Sequence, residues 1–293
     1  MSDDLVMKAY DLWASFKQEI LYRNRFIVKH KVLEHLEQMA QNNMQQIDEG
    51  TILYRARIYD ADDYFLRYLD GEISDTGLDA AGQLMNARYR YDIEVRKESG
   101  FWGFNSKDSF IPPVNDSIND GRTNPAFIKY LYTAEDPYTA LVEVRPYLKS
   151  KVSVAEVKVN SPIKIADFSY NAFVNFEGFE QILIYLIMQD FSIPSNSNQK
   201  DYIPTQYVAE FIKTLGFDGI KFNSSLHGRG RNITIFNYET CTPIGSKLYE
   251  VEDICFEAKG LAPKNEKDLV HWKLEPYKEK RRKDLFLQLK PKE

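Results

Sequence analysis

Ile52-Leu53-Tyr54-Arg55-Ala56-Arg57-Ile58 is where the chain changes its hydrophobic period. Upstream, Leu5, Ala9, Leu12, Trp13, Phe16 and Ile20 recur every three to four residues, the spacing of one buried helical stripe. Val32, Leu36, Met39 and Ile47 continue a second stripe, for which Gly50 is the expected stop. From there Ile52, Tyr54, Ala56 and Ile58 alternate with Leu53, Arg55 and Arg57, the period of a strand. Alternate residues share a face, so Arg55 and Arg57 project together, one pleat apart.

Downstream the alternation recurs over residues 130–133, 152–159, 163–168, 217–223, 232–237 and 248–256, each read as a strand. Asp136-Pro137 supplies an N-cap and a first-turn proline, predicting a helix through Leu141 and Val144. Residues 180–189 form a strongly apolar helix, and 205–215 a helix closed by Gly216. Residues 101–125, rich in Gly, Pro, Asn, Asp and Ser, read mainly as an ordered loop, and the polar run 192–200 as a mobile one. Past Pro263 the chain is charged and is expected to be peripheral.

The chain has 293 residues, 43% apolar and 28% charged, which is ordinary globular composition. Its longest apolar run, 182–188, is far short of a membrane span, and the acidic start Met1-Ser2-Asp3-Asp4 is no secretory signal. A cytoplasmic protein is expected. Two cysteines and four scattered histidines make neither a disulfide framework nor a structural metal site. Lys and Arg number 38 against 43 Asp and Glu, a net charge of −5. That balance argues against broad phosphate-backbone binding, so nucleic acid is not an expected partner. The charge is uneven, however: from Lys264 onward ten basic and six acidic residues leave +4, against −9 for the rest.

Several short motifs carry possible chemistry. Arg55 and Arg57 can clamp a diphosphate through bidentate guanidinium contacts, or simply form a solvated strand face with ion pairs. Gly121-Arg122-Thr123-Asn124-Pro125 is a tight turn bearing a third arginine. Glu143 sits among Ala140, Leu141, Val142 and Val144, suited to stabilise a cationic transition state or to act as a base. An ion pair with Arg145 or Arg122 is its plainer reading. Ser224, Ser225 and His227 invite a hydrolase reading, but the G-x-S-x-G elbow is missing. Gly228 and Gly230 lack the dinucleotide-fingerprint spacing and look like a hairpin turn. Arg25 and His30 stand five apart, as in HEPN-type ribonucleases, yet Phe26 occupies the position where those motifs place a polar residue.

The order of these pieces along the chain says more than any one of them. Leu53-Tyr54-Arg55-Ala56-Arg57, Gly121-Arg122-Thr123-Asn124-Pro125, Tyr130-Leu131-Tyr132-Thr133-Ala134, Thr139-Ala140-Leu141-Val142-Glu143-Val144-Arg145-Pro146, then 218–225 and 232–236 resemble the RES-domain family. The family is named for an arginine, a glutamate and a serine, which match Arg55, Glu143 and Ser224, with Ser225 the competing serine. Thr123 departs from the aromatic that many members carry after Gly-Arg, while the following Asn-Pro is kept.

The resemblance implies an α+β fold like the ADP-ribosyltransferase toxins, a mixed sheet around a cleft that binds NAD+ as substrate, here preceded by a helical N-terminal segment. It divides the chain into a helical segment 1–50, a catalytic domain 51–258 and a charged C-terminal extension 259–293. It further implies cleavage of the nicotinamide–ribose bond by water or inorganic phosphate, in the manner of toxins held in check by an antitoxin that plugs the cleft. Glu143 would face the oxocarbenium-like ribose, and Arg55 would grip the diphosphate with Arg122 as a second clamp. Tyr132 would stack on the nicotinamide ring, and Ser224 would hydrogen-bond the nicotinamide amide or its ribose. Arg57 would support the site, and Tyr202 and Gln206 would border the cleft. Two rivals remain: ADP-ribosyl transfer to a protein or nucleic acid, and a non-catalytic or RNA-acting protein using the helical segment and basic tail.

Overall fold

The computed structural model describes residues 3–60, 98–110, 120–170, 178–192 and 199–255, together with Gly82 and Met85. The extension expected over 259–293 lies outside them, as do the middle of 101–125 and most of the polar run 192–200. The helices are α1 (Asp3–Tyr22), α2 (Lys31–Asn42), α3 (Ser106–Phe110), α4 (Pro137–Glu143), α5 (Phe179–Ser192) and α6 (Ile203–Thr214). The strands are β1 (Met44–Ile47), β2 (Ile52–Tyr59), β3 (Leu131–Ala134), β4 (Lys151–Val159), β5 (Ile163–Asp167), β6 (Gly219–Asn223), β7 (Arg231–Ile235) and β8 (Cys241–Glu250). Among the described residues they form one sheet in the order β1-β5-β6-β7-β3-β2-β4-β8. β5 and β6 pair in parallel, whereas β1–β5, β2–β3, β2–β4, β3–β7 and β6–β7 are antiparallel. The fold is α+β with a mixed sheet and a helical start.

Both faces of the sheet are buried. Ile220 and Phe222 of β6 join a core built with α1, α2, α5 and α6, in which Trp13, Phe16, Leu36, Leu183 and Val208 are almost wholly enclosed. The opposite face gathers Leu53, Leu131, Val157, Ile165, Ile233 and Ile235. β-branched residues predominate there because they fill a pleated surface well. The buried stripe of α1 meets α5, where Trp13 Nε1 donates to Asp190 Oδ2 at 2.8 Å and Lys17 pairs with the same carboxylate at 2.9 Å. Among the described residues, contacts divide the chain into two compact units, one within 3–146 and 150–249, the other of 147–149 with 250–255. In the second, the Lys149 amide donates to the Val251 carbonyl at 2.8 Å. Among the described residues no helix is long and apolar enough to cross a membrane.

Most of the expected elements form, and several boundaries differ. The second helical stripe ends at Asn42, where the Asn43 amide bonds the Met39 carbonyl at 3.0 Å. Paired asparagines favour leaving a helix because their side chains compete for backbone groups. Residues 44–47 then pair with β5, so Ile47 is the buried residue of an edge strand and not the end of a helical stripe. Gly50 stops no helix: with φ +85° it turns β1 into β2. The last strand runs over 241–250 and not 248–256, its start disguised by Pro243 and Gly245, which an edge strand tolerates. A single helical turn, α3, also interrupts the expected loop over 101–125.

His30 fixes the start of α2. Its Nδ1 accepts the Val32 amide at 3.2 Å, and its Nε2 lies 3.1 Å from Ser15 Oγ on α1. The cap needs an unprotonated Nδ1, and burial does hold the imidazole below its ordinary 6.5, against the opposing pull of Glu19. A folded-state pKa that is lowered gives stability present above pH 6.5 and lost as pH falls through the folded value. Between about pH 7.5 and 5.5, the urea midpoint of the wild type is therefore expected to fall more than that of His30→Asn. Asparagine caps without titrating, so parallel declines would contradict this role.

Candidate active site

β2 and β3 stand in register only at Tyr54 and Ala134, and beyond that pair the backbone ladder gives out. Arg55 fills the gap. Its Nη1 donates to the Tyr132 carbonyl at 3.1 Å, while its Nε is buried with no hydrogen-bond partner. Desolvation, with the neighbouring charge of Arg57, lowers this guanidinium to about 9, so it remains a cation at neutral pH. A buried positive charge without a carboxylate beside it, and with its Nε–H unused, is a place prepared for an anion. Arg55 lines a cleft of about 420 Å³ together with Tyr54, Arg122, Tyr132, Glu143 and Asn232. Among the described residues the Arg122 guanidinium makes no hydrogen bond or ion pair, so the cleft holds a second uncommitted cation.

Glu143 is the last residue of α4, a helix started by the Asp136 side chain accepting the Thr139 amide at 2.8 Å. Its Oε1 accepts two hydrogen bonds of 2.7 Å, from Ser224 Oγ and from Asn232 Nδ2. Among the described residues its Oε2 has no partner, and no arginine pairs with it, so the plain ion-pair reading of Glu143 does not hold. Ser224 opens the hairpin between β6 and β7, and its oxygen also accepts the Leu226 and His227 amides at 3.1 and 3.0 Å. The hairpin meets α4 a second time through His227 Nδ1, 2.7 Å from Thr139 Oγ1. Thr139 and Glu143 are one helical turn apart, so the same helix face is tied at both ends. Just past α4, Arg145 also lines the cleft, from a left-handed φ of +50°.

The opposite wall is the turn 121–125. Tyr132 Oη donates to Asn124 Oδ1 at 2.6 Å and accepts the Thr123 amide at 3.0 Å. Burial pushes this phenol up, which keeps it a donor. Gln206 Nε2 donates to the Gly121 and Asn124 carbonyls at 2.9 and 3.2 Å, and Thr205 Oγ1 donates to the Arg122 carbonyl at 2.6 Å. Thr123 Oγ1 reaches Thr234 Oγ1 on β7 at 3.3 Å, both side chains being fully buried. Among the described residues, no group of three or more His, Cys, Asp or Glu could hold a metal.

With this geometry in hand, comparison with known proteins is decisive at one point. The family model of the RES domain matches residues 100–249, half of the chain. This chain belongs to the RES-domain family. None of the curated proteins matches it. Among solved structures, a chain from the crystal structure of the M. tuberculosis MbcT–MbcA toxin–antitoxin complex is similar. The identity is 13% and the TM-score 0.34, over 74% of this chain and 92% of that one, too low to speak for its chemistry.

Within the RES domain and the strand before it, the structure sorts the expected residues. Arg55, Arg122, Tyr132 and Glu143 meet in the cleft, and Ser224 touches Glu143, whereas Ser225 is exposed. Arg57 leaves the cleft: its Nη1 donates to the Asp108 carbonyl at 2.6 Å, securing α3. Tyr202 lines the cleft, but Gln206 braces the turn from behind and borders a separate apolar pocket of about 670 Å³. Ser224 gives its proton to Glu143 and not to His227, so no serine–histidine nucleophile exists there. His30 serves as a helix cap, and Arg25 lines the apolar pocket away from Glu143. Asn232, which lines the cleft and donates to Glu143, is the residue that residue-by-residue reading passed over. Its signal was the pattern Asn232-Ile233-Thr234-Ile235, where polar residues alternate in a strand buried on both faces.

Gly121 has no room for a side chain. A Cβ there would lie 2.4 Å from Asn124 Oδ1 and 2.5 Å from Tyr132 Oη. Gly121→Ala is expected to lower stability by about 1–3 kcal/mol through this overpacking. Urea denaturation measures it, and an unchanged midpoint would show that the turn yields freely.

Proposed function

We propose that this RES-domain chain is a toxin-like enzyme that cleaves the nicotinamide–ribose bond of NAD+, with water or inorganic phosphate as acceptor. The observation that carries this reading is the pairing, in one cleft, of the buried Arg55 guanidinium, whose Nε has no partner, with a carboxylate whose Oε2 is open. A diphosphate satisfies the first and a cationic ribose the second.

Bond cleavage sends the C–N electron pair to the nicotinamide ring and neutralises it, leaving positive charge on the ribose. Glu143 Oε2 stabilises that charge as it develops. The acceptor oxygen then bonds to the ribose carbon. Water gives up its proton to solvent, and phosphate yields ADP-ribose-1″-phosphate. Arg55 and Arg122 hold the diphosphate, and the Tyr132 ring, its hydroxyl engaged with the turn, faces the nicotinamide. Ser224 acts by fixing Glu143, because its proton is already given to that carboxylate. In this reading the protein works in the cytoplasm, depletes NAD+ and is restrained by an inhibitory partner protein.

Purified protein incubated with NAD+, with and without phosphate and followed by NMR, is expected to release nicotinamide. The second product names the acceptor. Glu143→Gln should lower turnover about 10²- to 10³-fold, the usual loss of one preorganised electrostatic group, while Ser225→Ala leaves it unchanged. Full activity in a folded Glu143→Gln protein would overturn the assignment. Label from NAD+ appearing on a macromolecule would replace hydrolysis with ADP-ribosyl transfer.

A further inference from the structure

Asn232 stands in the middle of the sheet, 8% exposed, between Ala134 of β3 and Phe222 of β6 in register. Packing alone gives no reason for an amide there, since the neighbouring Ile233 and Ile235 fill the opposite face with apolar atoms. A buried amide is retained where its hydrogen bond has a use. Its Nδ2 lies 2.7 Å from Glu143 Oε1, the oxygen that Ser224 also engages at 2.7 Å. Two donors from two different elements converge on one carboxylate oxygen.

We infer that Asn232 is the positioning residue of the RES site: with Ser224 it saturates Oε1 of Glu143 and so dedicates Oε2 to the ribose. The inference rests on the NAD-cleaving reading above and adds to it which oxygen reacts and what aims it. Either donor alone would leave the carboxylate free to swing about its last torsion, a broad and nearly two-fold well. Two donors remove that freedom. The anionic oxygen then stands fixed where positive charge appears only in the transition state. Such an interaction raises turnover without tightening substrate binding.

The test compares wild type, Asn232→Leu and Asn232→Ala for NAD+ turnover, melting temperature and crystal structure. Leucine keeps the heavy-atom branching of asparagine and lacks the donor, while alanine lacks the donor without adding bulk. The expected result is kcat lowered about 10- to 100-fold, the scale of a misaimed group, with KM within about two-fold and a protein that still melts cooperatively. Unchanged kcat in either folded variant would overturn the inference, as would a rise in KM alone. The crystal structures give a readout independent of activity: the Glu143 carboxylate should leave its wild-type orientation in Asn232→Leu. A carboxylate that stays put would overturn the inference even if wild type proves inactive on NAD+. Conversely, inactive wild type with a displaced carboxylate would sink the NAD+ reading and leave the positioning role standing.

Discussion

Arg55 does the work of a strand where the sheet parts, donating to the Tyr132 carbonyl across a gap that backbone amides no longer bridge. This makes the cleft a consequence of how the sheet is built. Wherever strands separate, polar groups of the backbone lose partners, and something must replace them. Here the replacement is a charged side chain, which solves the backbone problem and leaves a cation whose Nε has no partner. Tyr132 serves this arrangement on three fronts: its carbonyl meets Arg55, its ring lines the cleft, and its hydroxyl pins the turn 121–125. The Arg122 wall is therefore tied to the same residue as the Arg55 floor.

β7 organises the other half. Ile233 and Ile235 serve one core, while Asn232 and Thr234 turn toward the side of the helices and hold Glu143 and Thr123 respectively. A buried polar network of this type is rigid when every member is satisfied and weak when one is missing. Thr123 belongs to it: the small hydroxyl reaches Thr234 in a space with no exposure at all. An aromatic at that position would need a different β7.

Much of this was legible beforehand, and the misses have physical causes. The alternation at 52–58 marked β2, and Asp136-Pro137 marked the start of α4, because both signals are local. Which arginine enters the cleft was not local. Arg55 and Arg57 have the same sequence character, and α3, from a stretch read as loop, captures Arg57. Ser224 reads as the family serine with Ser225 as its rival, and it is the direction of the hairpin that sets them apart. Asn232 looked like an ordinary strand residue, since its meaning depends on a carboxylate 89 positions earlier. Residues 44–47 differ for the opposite reason: apolar Met44 and Ile47, three apart, match a helical stripe, yet in the strand only Ile47 is buried.

α4 has seven residues, too few to hold a helix without help from its surroundings. The carboxylate at its end is set only by partners 81 and 89 residues further along the chain. During synthesis Glu143 thus leaves the ribosome long before the hairpin that aims it. A nascent or prematurely ended chain stopping short of β7 carries the acid, the arginine and the turn, and still has no assembled site. The site is complete only with the β6–β7 hairpin in place. In the NAD+-cleaving reading proposed above, the order of the chain itself keeps an unfinished protein from acting during translation.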